Sequence, residues 1–246
     1  MGYTFYGDLL GISGIYKLSP QLAKEKLNDF YRTTFDSVDA TWIANSNTKI
    51  MMFSDSFFMW GDDEHGALRE LGLLYLKLLH CGLLLRGSIV DGVLEFEPRL
   101  ERSNFQKFLP RDDTLARAVG LESTHKGARF LIESQLAVRL LDKVSSWQAA
   151  DGYVRETQPI PHIEYESSLR RIAPTPEGHC YEYLYFWTTS RNHNSMDYDT
   201  KRRELEEIQK MLKEDVAVHY KETVSLLKRC QSRHALTDKQ FPKLCF

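Results

Sequence analysis

The order of local patterns predicts an α+β or α/β sandwich with mixed strand pairing, flanked by helices and followed by a C-terminal helix. Three observations lead there. The chain has 246 residues, 42% apolar and 27% charged, enough to bury a core and too apolar for a disordered chain. Short apolar runs of strand length alternate with segments of helical period in the order strand, helix, strand pair, helix, strand, helix, strand. After the last of these, the composition turns to a charged stretch with apolar residues at steps of three and four. Residues 1–190 are therefore read as one domain and 191–246 as a helical extension.

The first strand is Tyr3 to Leu10, apolar and aromatic around one acid, ending near Gly11, Ile12, Ser13 and Gly14. Ser19 caps a helix whose first residue is Pro20, with Leu22, Leu27, Phe30, Phe35 and Val38 as its apolar stripe. Ile50 to Trp60 reads as a strand pair, its polar triplet Ser54, Asp55 and Ser56 marking a hairpin tip or a site. Asp62, Asp63 and Glu64 make an acidic first turn for a helix that presents Leu68, Leu71, Leu74, Tyr75 and Leu78 to the core. Leu83 to Leu94 follows as a strand. Asp113 or Thr114 caps a helix with Leu115, Ala118, Val119 and Leu121 inside, then come a strand or turn at Ala128 to Ile132 and a helix from Ser134 to Val144. Asp151 to Pro176 holds four of the eight prolines and reads as an irregular connection, and Tyr181 to Thr189 as a late strand. Asp199 opens one long helix reaching Cys230, an appendage or a dimer element, with Leu205, Ile208, Leu212, Val216, Tyr220, Val224 and Leu227 on one side.

Charge and cysteine usage exclude several classes. Lys and Arg total 32 against 34 Asp and Glu, which lacks the basic excess of a nucleic-acid binder. The most apolar stretch, Leu71 to Leu85, carries Lys77 and His80 and falls short of the roughly 20 residues of a membrane span. No basic, apolar leader opens the chain. Cys81, Cys180, Cys230 and Cys245 have no metal-type spacing, and the eight histidines show none either. A cytoplasmic protein with free thiols is expected.

Two acids interrupt otherwise apolar strands: Asp8 in Phe5-Tyr6-Gly7-Asp8-Leu9-Leu10, and Asp55 in Met51-Met52-Phe53-Ser54-Asp55-Ser56. A carboxylate there is costly unless it is paired or holds a cation, or unless it merely caps a turn. On adjacent strands the two would hold two divalent metals about 3.5–4 Å apart, the arrangement that serves in-line phosphoryl displacement. Gly11 would let the backbone approach a ligand, and the amides up to Ser13 would form an anion nest.

In this order the pieces resemble the class III nucleotidyl cyclases, whose first strand carries Asp-x-x-Gly-Phe-Thr, whose hairpin carries Gly-Asp and whose next strand reads Arg-x-Gly-Ile-x-x-Gly. Asp8-Leu9-Leu10-Gly11-Ile12-Ser13, Ser54-Asp55 and Arg86-Gly87-Ser88-Ile89-Val90-Asp91-Gly92 stand in those places. Phe53-Ser54-Asp55-Ser56 and Leu85-Arg86-Gly87 are similar in detail to the bacterial Pycsar pyrimidine cyclases, as is the stretch from Leu115 to Arg129. The resemblance covers Tyr3 to Ile132. It implies an α+β sandwich with a mostly antiparallel sheet and conversion of UTP or CTP to the 3',5'-cyclic monophosphate and pyrophosphate, with uridylate cyclase favoured. It also implies a homodimer, a separate effector that reads the product, and a role in antiphage defence.

By that resemblance Asp8 and Asp55, with the Leu9 carbonyl, bind two Mn²⁺ or Mg²⁺, and the amides of Gly11, Ile12 and Ser13 hold phosphate oxygens. The register departs from the adenylate and guanylate cyclases further on. Their ribose-orienting Asn and transition-state Arg fall on Ala116 and Gly120, leaving Arg111, Arg117, Lys126 and Arg129 as candidate cations. Their base-reading Lys falls on Met51, and its partner Asp near Leu109, which disfavours adenine and leaves the nucleotide contacts at Met51, Arg111 and Arg117. Arg86 would either reach phosphate or serve as a structural partner for an acid such as Asp91, the second reading being favoured. The alternatives are a catalytically silent, nucleotide-binding signalling domain and an atypical adenylate or guanylate cyclase.

Overall fold

A computed structural model describes residues 2–97, 108–137, 139–140, 169–171, 180–183 and 198–240. Its centre is β1 (Tyr3–Leu9), buried along most of its length. The chain then forms α1 (Ile12–Leu18), α2 (Pro20–Ser37), α3 (Ala40–Asn45) and the hairpin β2 (Lys49–Phe53) and β3 (Ser56–Gly61). Next come α4 (Glu64–His80), β4 (Leu85–Asp91), α5 (Thr114–Ser123), β5 (Phe130–Glu133), β6 (Leu169–Arg171) and β7 (Cys180–Tyr183). The strands make one sheet in the order β2-β3-β1-β4-β5-β7-β6, antiparallel throughout except for β4 beside β5. The mixed α+β sandwich expected from the sequence is thus realised, with the βαββαβ order of a split βαβ core.

Alternation along β1 decides what each face does. Tyr3, Phe5 and Leu9 point into the main core, where Phe5 meets Phe57, Tyr75 and Phe130 with ring centroids 5.7, 6.4 and 5.3 Å apart. The helix α4 closes that face with Leu68, Leu71, Leu74, Leu78 and Leu79, each buried and each contributing about 1.5–3 kcal/mol by its removal from water. Asp63 caps α4 by accepting from the Gly66 amide at 3.0 Å and from Trp42 Nε1 at 2.8 Å, which also ties α3 to it. Gly87 allows a close contact within this core, since a Cβ there would lie 2.5 Å from Phe5 Cζ and 2.7 Å from the Tyr6 carbonyl. On the opposite face α5 covers Tyr6, Val90 and Leu131 with Ala118 and Leu121. Asp8, two residues from Tyr6, belongs to this second face.

Several expectations are corrected. The turn after Gly11 is a short helix, α1, and α3 was not anticipated, because both are too short to show a helical period. In α2 Phe30 is buried, but Phe35 is 87% exposed and Leu22 44%; α2 packs through Ala23, Phe30, Thr34 and Ser37 instead. Val119 likewise faces out of α5. The region Asp151 to Pro176 contains the strand β6, while its remaining residues, and most of Tyr181 to Thr189 beyond β7, lie outside the described residues. Residues 134–137 and 139–140 are helical as expected; 141–144 lie outside.

The single helix expected from Asp199 to Cys230 is two, α6 (Tyr198–Met211) and α7 (Glu214–Gln240), broken at Leu212 and Lys213. Nor is it an appendage. Leu205, Val224, Leu226 and Leu227 are buried in the main core, because apolar residues of these helices find the sheet's own core. Thr223 Oγ1 accepts from the Ala128 amide at 2.9 Å and Glu222 pairs with Arg129 at 2.5 Å, pinning α7 to the turn before β5.

Candidate active site

The end of β1 brings the two predicted acids together. Asp8 stands opposite Ser56 of β3 on one side and Arg86 of β4 on the other. Asp55 sits in the two-residue tip between Phe53 and Ser56, and its carbonyl accepts the Leu9 amide at 3.0 Å, which ties the tip to the end of β1. Ser54 makes that tip with φ 55°, left-handed backbone that glycine takes at no steric cost.

The surroundings of Asp8 disfavour its own negative charge. Burial pushes the Asp8 carboxyl up to about 6, and the neighbouring Asp55 charge pushes the same way, against weaker lowering by the Ser56 hydroxyl and Arg86. Ser56 Oγ donates to Asp8 Oδ1 at 3.3 Å. No group of three or more His, Cys, Asp or Glu side chains gathers among the described residues. Two carboxylates are a hard-oxygen set, and one or two carboxylates completed by substrate phosphates is how Mg²⁺ is commonly held. The residues present therefore fit Mg²⁺ or Mn²⁺ better than zinc.

Gly11 adopts φ 87° and starts α1, and the first bond inside that helix runs from the Ile15 amide to the Gly11 carbonyl at 3.0 Å. The amides of Ile12 and Ser13 thus lie ahead of the helix's own bonds, with Ser13 exposed and the Ile12 side chain buried in the core. Met51 is half-buried on β2, opposite Phe58, on the face of the sheet that carries Asp8.

The remaining predicted cations sit elsewhere. Arg111 is exposed and pairs with Glu95 at 3.0 Å. Arg117 binds Glu133, Asp113 at 3.3 Å and the Asp91 carbonyl at 2.8 Å, cross-linking α5 to β4 and β5. Arg129 is 7% exposed and engaged by Glu222, and Lys126 is exposed beside the same turn. Ala116 is exposed, and a Cβ on Gly120 would meet nothing within 4 Å.

Arg86 does not pair with Asp91, which binds Arg139 at 2.7 Å. Its partner is Glu122 on α5, a residue the sequence reading did not single out for a role. Glu122 is 3% exposed, and burial raises its carboxyl above the usual range despite the opposing pull of Arg86. A signal was present: an acid on the apolar side of α5, four residues after Ala118, needs a buried cation. A cavity of about 490 Å³ lined by Asn47, Lys49, Trp60, Asp62, Glu95 and Phe96 lies elsewhere. It is about four residues along β3 from Ser56, roughly 13 Å.

No protein-family model and no curated relative matches the chain. Solved structures do. An adenylate cyclase from Trypanosoma brucei, described in its monomeric state, superposes with a TM-score of 0.52 at 11% identity, over 75% of this chain and 89% of that one. The guanylate cyclase domain of RhGC from Catenaria anguillulae, solved with GTP, gives 0.48 at 12% identity over 74% and 94%. The adenylyl cyclase CyaB from P. aeruginosa gives 0.46 at 12% over 74% and 92%. With the trypanosomal likeness above one half across three quarters of its length, the chain has the fold of a class III cyclase catalytic domain.

Proposed function

We propose that this chain is a nucleotidyl cyclase that converts a pyrimidine nucleoside triphosphate, UTP before CTP, to the 3',5'-cyclic monophosphate and pyrophosphate. The observation that carries the proposal is the meeting of Asp8 and Asp55 at the end of β1 on a cyclase catalytic-domain fold. Asp8, Asp55 and the Leu9 carbonyl would hold two Mn²⁺ or Mg²⁺. When bound, these ions supply acidification of the ribose 3'-hydroxyl and neutralisation of the triphosphate. The chain's own residues supply the rest. The Gly11, Ile12 and Ser13 amides are the donors for phosphate oxygens, and the half-buried strand end excludes part of the solvent from the reacting centre. Because the reaction is intramolecular, holding the nucleotide in the in-line pose is the larger part of the work.

The pyrimidine preference is supported by Met51, whose thioether offers no strong donor where the adenylate cyclases place an amine. Its side of the sheet also supports a homodimer, since Phe53, 74% exposed, continues an apolar surface with Met51 and Phe58 suited to a second copy. Second-messenger synthesis in antiphage defence, with a separate effector, follows from the likeness to the Pycsar enzymes, and the scattered cysteines, read as free thiols, support a cytoplasmic location. No helix among the described residues is long and apolar enough to cross a membrane.

The test is incubation with ATP, GTP, CTP and UTP separately in Mn²⁺, with products identified by mass spectrometry and the Asp55→Ala protein as control. Cyclic UMP or CMP from the intact protein alone is the expected result, and cyclic AMP or GMP would overturn the base assignment. The exposed Ala116 and the open space at Gly120 favour a second reading, a silent nucleotide-binding domain. Nucleotide-induced stabilisation without any product is its signature.

A further inference from the structure

Arg86 is the cation best placed to pair with Asp8, yet its ion pair is made elsewhere. It stands directly opposite Asp8 in the β1–β4 register, and cross-strand neighbours have Cβ atoms about 4.5–5.5 Å apart, well within reach of a guanidinium. The described residues nevertheless give Arg86 one ion pair, with Glu122 of α5, and none with Asp8. The Arg86 and Glu122 side chains are 15% and 4% exposed, so neither charge can turn to solvent instead. Asp8 is left with a single weak hydrogen bond, from Ser56.

From this geometry we infer that Glu122 is a positioning residue: it holds the Arg86 guanidinium away from Asp8 and so keeps the Asp8 carboxylate available to a divalent cation. The inference rests on the cyclase reading of the Asp8–Asp55 site and deepens it. The logic is competition for one cation. With Glu122 present, Arg86 is already neutralised and both aspartates keep their charge for metal. Without it, the buried guanidinium has the cross-strand carboxylate of Asp8 to turn to, and pairing there would occupy the oxygens that a metal needs. Glu122 cannot itself be replaced by solvent in this role, because Ala118 and Leu121 of the same helix seal α5 against Tyr6 and Val90. Ser88 Oγ, donating to the Ala118 carbonyl at 2.6 Å, fixes α5 in position over β4.

The test is Mn²⁺ binding by the full chain without nucleotide, read from the electron paramagnetic resonance signal of free Mn²⁺. The proteins are the wild type, Glu122→Gln, Glu122→Asp, Arg86→Gln and the Arg86→Gln/Glu122→Gln double variant. Glu122→Gln should raise the dissociation constant about tenfold, the effect of one charge-assisted contact, while Arg86→Gln should bind no more weakly than the wild type. The double variant should return to the Arg86→Gln value, since removing the guanidinium removes the competitor; a purely structural role for Glu122 would not be suppressed in this way. Glu122→Asp keeps the buried charge and withdraws it by one methylene, so it reports in the same direction should the Gln variant not fold. Wild-type affinity in both Glu122 variants, or a double variant as weak as Glu122→Gln, overturns the inference and leaves the cyclase reading standing. A wild-type protein that binds no Mn²⁺ overturns the metal site itself and the inference with it.

Discussion

Asn at position 8 should make the metal-free protein more stable, and only above a defined pH. In the folded chain Asp8 keeps its proton up to about 6, against 3.8 for an ordinary aspartate. Its contribution to stability is therefore full below about 3.8 and is lost as the pH rises through 6. In a fully dry site a shift of that size would cost about 3 kcal/mol near pH 8. Asp8 is only half-buried, and solvent screening reduces the cost to about 1–1.5 kcal/mol. Asn mimics the protonated acid in shape and charge, so Asp8→Asn should gain about 1–1.5 kcal/mol over the wild type at pH 8 in EDTA. For a chain of this length that is about 2–6 °C in Tm, and the gain should vanish at pH 4. Urea or thermal unfolding of both proteins at the two pH values measures it. Added Mn²⁺ should stabilise the wild type and not Asp8→Asn, reversing the order. A variant equally destabilised at pH 4 and pH 8 would refute the reasoning, because the carboxylate would then be a structural partner rather than a charge held in reserve.

Two further substitutions probe the frame around the site. Gly87→Ala places a methyl group against Phe5, the Tyr6 carbonyl and, at 2.8 Å, the Tyr75 hydroxyl; denaturant unfolding should show a loss of about 2–4 kcal/mol, and retained stability would mean that β1 and β4 separate more easily than their packing suggests. Thr223→Val removes the hydroxyl that accepts from the buried Ala128 amide, so a loss of about 1–3 kcal/mol is expected, with earlier proteolytic cleavage within α7. Unchanged cleavage would mean that α7 is held by its apolar contacts alone.

What was legible in the residues follows from how local each signal is. Asp8 and Asp55 stood out because a charge inside an apolar run is anomalous at the level of the run itself, and Ser54-Asp55 because polar residues between two strand patterns mark a tip. The pairing of Arg86 was not legible. Asp91 was the nearer acid in sequence, but it lies at the other end of the same strand, and α5 brings Glu122 across the sheet from 36 residues away. The α2 stripe was misread for a similar reason: Phe35 has the hydrophobicity of a core residue, yet the neighbouring α4 meets a different side of α2, and nothing in α2 alone records which.

The sequence by itself determined the alternation of elements, the α+β class and the two acids at strand ends, since these depend on periodicity and on the cost of burying charge, both set within a dozen residues. Only the tertiary structure decided where the C-terminal helices go and which acid neutralises Arg86. Apolar residues at helical spacing, such as Leu205, Val224 and Leu227, specify that a face must be buried without specifying against what. The main core supplied the surface, and it placed Glu222 and Thr223 against the turn before β5. The same holds at the site: hydrophobic burial is non-directional, so the contacts that give Asp8 its charge environment arise from the order in which strands and helices stack.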